Sequence, residues 1–220
     1  VGVWHRSRTG SHRFTYGESW LQSAYSRPLS LSMPITADRS VSGDLVSNYF
    51  DNLLPDDERI RQRVATRFKT NSIQAFDMLQ AIGRDCVGAV QLLPPDEKPS
   101  GFNEINFAPL SDADIERHLQ GVVAAPGNLD EEDLDDFRIS IAGAQEKTAL
   151  LRVDGQWCKP LVSTPTTHIL KLPLGLIGGR KLDLTHSVQN EWLCAQILKS
   201  LGFPVAETQI AQFGDQMVLS

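Results

Sequence analysis

Residues 142–147, Ala142-Gly143-Ala144-Gln145-Glu146-Lys147, stand between two β-rich runs, 137–141 and 148–153. Small side chains let a backbone approach an anion closely, and successive amide N–H groups form a nest that suits phosphate. Lys147 would add a compact positive charge beside it. The loop carries one glycine and fits neither GxGxxG nor GxxxxGK[ST]. Taken by itself it reads first as a plain hairpin with a polar tip.

Lys171 is the one charged residue on the short β-run THILKLP, residues 167–173. A protein kinase uses a strand lysine to hold the nucleotide's phosphates; a lysine snorkelling from an edge strand gives the same pattern. A helix is predicted over 188–201, capped by Ser187 and ended at Gly202. Its apolar line is Val188, Trp192, Ala195, Leu198 and Leu201, with Glu191 on the flank. Glu191 could pair with Lys171, as a kinase helix glutamate does, or be an ordinary surface acid.

These residues need strands and tight turns to position them. Asp154-Gly155 is a two-residue hairpin signal leading into 156–159, and two further strands are expected at 205–213 and 216–219, joined at Gly214-Asp215. The resulting order is strand, glycine-containing loop, strand, turn, strand, lysine-bearing strand, helix, strand, strand. That is the order of a kinase amino-terminal lobe.

Upstream, residues 12–16 and 28–34 read as extended pieces, the latter from the alternation of Leu29, Leu31 and Met33 with serines. Helices are expected over 42–54, 56–68 and 73–82, and a strand over 87–93. Arg59, Arg61, Arg63, Arg67 and Lys69 fit one solvated helix side, with a phosphate or partner contact as the lesser reading. The proline-rich stretch 94–106 is the best boundary; a short helix from Ser111 to Leu119 and an acidic break at 125–136 follow.

The chain has 220 residues, 41% apolar and 22% charged, and a net charge of −6, ordinary values for a globular protein. An acidic balance argues against autonomous nucleic-acid binding, which needs a basic face. No apolar run reaches the roughly 20 residues of a membrane span, and no signal-peptide pattern is present. The absence of an initiator methionine suggests that a few residues precede Val1. Cys86, Cys158 and Cys194 lack metal or disulfide spacing and read as buried, reduced thiols of a cytoplasmic protein.

FRISIAGAQEKTALL (137–151), TPTTHILKLP (164–173) and NEWLCAQILKSLG (190–202) resemble segments of the HipA family of toxin–antitoxin kinases, and RPLSLSMP (27–34), NYFDNLLPD (48–56) and AFDMLQAIGRDCVGAV (75–90) resemble its amino-terminal domain. The resemblance covers essentially the whole chain, and SxAGAQEK is its most specific part. It implies that Ser140 is an autophosphorylated serine, that Ala142, Gly143, Ala144, Gln145, Glu146 and Lys147 form an ATP-binding loop, and that Lys171 meets the phosphates. It further implies ATP and Mg²⁺ as cofactors, a HipB-like helix-turn-helix antitoxin as partner, DNA contacts made through that antitoxin, and glutamyl-tRNA synthetase as protein substrate.

The expected fold is α+β: a HipA-type amino-terminal subdomain over 1–95, a connecting segment with a short helix over 96–133, and an incomplete kinase-like amino lobe over 134–220. The catalytic and metal-binding carboxylates of such a kinase have no counterpart in this sequence, so the carboxy-terminal lobe is expected to lie outside it. The alternatives are a fragment or truncated homologue that binds the antitoxin without kinase activity, and a gene remnant that binds neither.

Overall fold

Strand β1 (Gly2–Arg6) opens the chain and turns back into β2 (His12–Tyr16), which also pairs with the short β3 (Ser40–Ser42). The computed structural model describes residues 1–85, 90–101, 103–123, 143, 145–161, 163–177 and 182–220. Its chain divides into two compact units, Val1–Lys98 and Pro99–Ser220, and the division falls inside the proline-rich stretch 94–106.

In the first unit the three strands make an antiparallel sheet in the order β1-β2-β3. After the single-turn helix α1 (Glu18–Leu21), three longer helices follow: α2 (Asp44–Asp51), α3 (Glu58–Arg67) and α4 (Ala75–Ile82). Helix α2 buries Val46 and Phe50 against the sheet, with the Trp4 and Phe50 rings stacked at 4.0 Å. Asp57 starts α3 by accepting the Arg59 N–H at 2.8 Å, and the Arg59 side chain returns to the same carboxylate. That pairing holds the Asp57 carboxyl down at about 2.

Two expectations for this unit are corrected. Residues 28–34 are not a strand: Leu31 is 98% exposed, and Ser30 and Met33 close a tight turn. The buried Tyr16 hydroxyl donates to the Met33 carbonyl and accepts the Leu29 N–H, so the segment wraps around one hydroxyl instead of pairing with a neighbour. The Ser30 hydroxyl also accepts the Ser32 N–H, a local bond that competes with a ladder. The basic helix side is likewise not uniformly solvated. Arg61 is 13% exposed in its side chain and grips Asp51 through two bonds of 2.7 and 3.0 Å. Of the strand expected at 87–93, residues 87–89 lie outside the described residues and 90–93 form no regular element.

An aromatic cluster ties β1, β2 and α4. The Trp4 indole N–H donates to His12 Nδ1 at 3.1 Å, and Arg6 lies over the Phe76 ring while bonding the buried Asp77 at 2.6 Å. Burial, reinforced by Arg6 and opposed by Asp44, pushes the His12 pKa below its ordinary value. The unfolded chain therefore binds more protons than the folded one between these two pKa values, and stability must fall as pH drops through about 6.5 and below. Protonation also places a proton on the atom that accepts from Trp4. We expect the melting temperature to decline over this range, and His12→Gln to flatten that part of the profile; scanning calorimetry across pH checks both.

The second unit is built on a six-stranded antiparallel sheet, ordered β10-β11-β7-β5-β6-β4. Its members are β4 (Phe107–Pro109), β5 (Lys147–Val153), β6 (Gln156–Pro160), β7 (His168–Lys171), β10 (Ile210–Phe213) and β11 (Gln216–Leu219). A separate hairpin, β8 (Gly175–Ile177) and β9 (Leu182–Leu184), follows β7 as an addition to the expected order. Asp154 and Gly155 both take positive φ between β5 and β6, as the hairpin signal requires. The strand expected over 205–213 shortens to β10.

Helix α5 (Asp112–Val123) begins at a capping pair in which the Asp114 N–H meets the Ser111 hydroxyl and the Ser111 N–H meets the Asp114 carboxylate. Its residues Ile115, Leu119 and Val122 fall on one face and pack with Leu150, Leu170, Leu172, Phe213 and Val218. The helix expected in a connecting segment is thus a wall of this unit's core. Helix α6 (Ser187–Ser200) packs along β10 and β11, with Gln189 donating to the Met217 sulfur at 3.0 Å.

Candidate functional site

Alternation along the strands sorts the sheet into two faces. Leu150 of β5 and Leu170 of β7 turn toward α5. Thr148 does the same, hydrogen-bonded to His118 at 2.8 Å. Lys147 and Lys171 alternate with these residues and therefore take the opposite face. The register pairs them directly, Lys147↔Lys171, at the end of the β5–β7 ladder. Like charges opposed on adjacent strands repel unless compensated, and Lys171 has its compensating charge in Glu191.

Glu191 of α6 forms an ion pair with Lys171. One further contact sets it there. The Ser187 hydroxyl accepts the Leu174 N–H at 2.9 Å, which fixes the start of α6 to the chain just beyond β7. Glu191 follows Ser187 by four residues and so shares its helix face. Ser187 is consequently the first residue of α6 and not its cap; His186 occupies the cap position without a side-chain bond. The predicted ending at Gly202 is observed, with φ +81 and the Phe203 N–H returning to the Leu198 carbonyl.

The loop before β5 comes back over its own lysine. Gly143 has φ +115, and a Cβ placed there would lie 2.5 Å from Lys147 Nζ. Gln145 donates its side-chain amide to the Leu172 carbonyl at 2.6 Å, and the Glu146 carbonyl accepts the Leu172 N–H at 3.1 Å. Gly143, Gln145, Glu146, Lys147, Lys171 and Glu191 are therefore brought together at one end of the β5–β7 ladder. Ser140, Ala142 and Ala144 lie outside the described residues, as does the strand expected at 137–141. Sequence reasoning misses the Gln145–Leu172 and Ser187–Leu174 contacts; both join side chains to backbone groups far away in sequence, which no local pattern signals.

The apolar line read along α6 holds only in its first half. Val188 is buried and Trp192 and Ala195 are half-buried, but Leu198 and Leu201 are exposed. Cys158 is buried as expected; Cys194 is not, because it lies on the outward side of α6 beside the exposed Leu193. Cys86 is outside the described residues. The opposed lysines and the close-lying glycine backbone suit a polyphosphate. Among the described residues no three His, Cys, Asp or Glu side chains gather to hold a metal ion, and no helix is long and apolar enough to cross a membrane.

The HipA N-terminal domain profile matches residues 1–93, and the HipA-like C-terminal domain profile matches residues 139–220. A putative kinase of Sinorhizobium fredii, Y4mE, is 32% identical across 95% of this chain and 48% of its own length. The serine/threonine-protein kinase toxin HipA of Shewanella oneidensis is 25% identical across 90% of this chain and 41% of its own length. The chain thus spans less than half the length of these relatives. In structure, all of it superposes on 47% of a chain from the Shewanella oneidensis complex of HipA, HipB and operator DNA, with a TM-score of 0.68 and 24% identity.

Proposed function

The chain belongs to the HipA family, and from that premise we propose that residues 134–220, walled by α5, are the nucleotide-holding amino lobe of an ATP-dependent serine/threonine protein kinase toxin. The observation that carries this reading is the direct pairing of Lys147 with Lys171, the latter fixed by Glu191, beneath the Gly143 backbone. ATP, when bound, supplies the phosphoryl group to be transferred. Lys171 meets its phosphates as a point charge, and Glu191 keeps that ammonium from swinging away. Lys147 and the amides of residues 142–147 hold the remaining phosphate oxygens. The described residues offer no donor set for Mg²⁺, so no step is assigned to it.

Residues 1–95 are proposed as the HipA-type amino-terminal subdomain. The protein acts in the cytoplasm, with a HipB-like antitoxin as partner and DNA reached through that antitoxin, in keeping with a net charge of −6. Glutamyl-tRNA synthetase is the proposed substrate, with growth arrest and persistence as the outcome. Autophosphorylation at Ser140 would add nearly two negative charges beside the phosphate-binding loop, repelling ATP. The second reading is that the 220 residues bind the antitoxin without transferring phosphate.

Calorimetric titration of the chain with Mg·ATP tests the nucleotide reading. Saturable binding with one site is expected, and its loss when Ser140 is phosphorylated. Absence of binding together with tight association to a HipB-like protein would favour the second reading.

A further inference from the structure

We propose that Gln145 is a positioning residue: its side-chain amide fastens the loop to the end of β7 and so decides where Lys147 stands. The proposal deepens the nucleotide reading and rests on it for its consequence, though not for the tether itself.

The β5–β7 ladder runs from Leu150↔His168 to Lys147↔Lys171. One more backbone bond follows, from the Leu172 N–H to the Glu146 carbonyl at 3.1 Å. There the loop leaves the sheet, and among the described residues no backbone N–H is bonded to the Leu172 carbonyl. Leu172 is only 3% exposed, so a carbonyl left unpaired there is costly. Gln145 supplies the missing donor from its side chain at 2.6 Å. Both polar groups of Leu172 are thus taken by two consecutive loop residues, and the side chain acts as a final rung of the ladder.

That rung fixes the direction in which the chain departs. Two residues earlier stands Gly143, where an added Cβ would lie 2.5 Å from Lys147 Nζ, so the glycine is beside the charge that the loop carries. On the other side, Pro173 has no N–H to give, and the next amide, Leu174, is held by Ser187 of α6. The short segment 172–174 is therefore pinned by the loop on one side and by the helix bearing Glu191 on the other. Gln145 and Ser187 set the two lysines from opposite directions. A glutamine that touched the nucleotide would have its amide aimed away from the sheet; here it is spent on Leu172.

The test is amide exchange in the nucleotide-free 220-residue chain, read as protection relative to the intrinsic rate at each pH, for wild type, Gln145→Met and Gln145→Glu. Loss of one hydrogen bond to a buried carbonyl should speed Leu172 exchange by about tenfold at pH 7 in both variants, with the Ser220 amide of the far strands unchanged. In Gln145→Glu the protonated carboxyl can donate to the Leu172 carbonyl again. Protection should therefore return as pH falls through about 4.5, while Gln145→Met stays unprotected. Mg·ATP affinity at pH 7 should fall in both variants. Unchanged Leu172 protection overturns the proposal, whether or not affinity falls; a fall in affinity alone would mean that Gln145 contacts the ligand. Unfolding of Gln145→Met would appear at Ser220 too, and the pH recovery of Gln145→Glu then decides alone. A wild-type chain that binds no nucleotide refutes the nucleotide reading and leaves the exchange result to decide the tether.

Discussion

Lys171→Met should weaken Mg·ATP binding by roughly ten- to a hundredfold, the worth of one or two charge-assisted hydrogen bonds to phosphate. The same change should leave the fold almost untouched. The pair it breaks, Lys171 with Glu191, keeps 31% and 41% of its side-chain surface in water, and exposed pairs of this kind contribute about 0–1 kcal/mol. That corresponds to at most about 2–4 °C in melting temperature for a chain of this size. Glu191→Gln separates the lysine's two tasks. The amide oxygen can still accept from Lys171, so positioning survives in part and the loss of affinity should be smaller. Because Glu191 acts through Lys171, adding Glu191→Gln to Lys171→Met should cost little more than Lys171→Met alone. Titration calorimetry on the four proteins measures this coupling, and additive losses would show that Glu191 reaches the nucleotide independently.

Much of this site is legible in the sequence because it is written locally. Lys171 is the only charge on its short apolar run, and Glu191 sits on the packed flank of a helix whose end Gly202 announces. The Asp154-Gly155 turn sets the register of β5 and β6 from two residues. What is not legible depends on contacts between distant segments. Leu29, Leu31 and Met33 alternate like a strand, yet the Tyr16 hydroxyl gathers their backbone into a turn, and nothing within 28–34 reveals that hydroxyl. Arg61 looks like its neighbours on a basic helix until Asp51, ten residues earlier, claims it. Helix α5 carries its own apolar seam at Ile115, Leu119 and Val122, but only the sheet shows what that seam covers. Gln145 belongs to the loop that the sequence singles out; its bond to Leu172 lies 27 residues away.

Gly143→Ala should reduce Mg·ATP affinity about tenfold or more, and should lower stability by about 1–3 kcal/mol through its backbone. Two costs act at this position. An L-residue at φ +115 carries strain of order 1–3 kcal/mol, and the new methyl would sit 2.5 Å from Lys147 Nζ. The contacted atom is the tip of a flexible side chain, so the backbone need not move; the ammonium must. Displacing that charge harms phosphate binding while costing the core nothing, since Leu150, Leu170 and Val218 lie on the opposite face. Gly155 provides the contrast. It too has positive φ, +83, but a methyl added there would meet nothing within 4 Å, and it turns away from both lysines into the β5–β6 hairpin. Gly155→Ala should therefore lower stability by about 1 kcal/mol and leave nucleotide affinity unchanged. Both glycines have positive φ, and they differ in what stands beside them. If both substitutions weakened ATP binding equally, general destabilisation of the hairpin would explain the loss, and the close approach of Gly143 to Lys147 would have no part in holding the nucleotide.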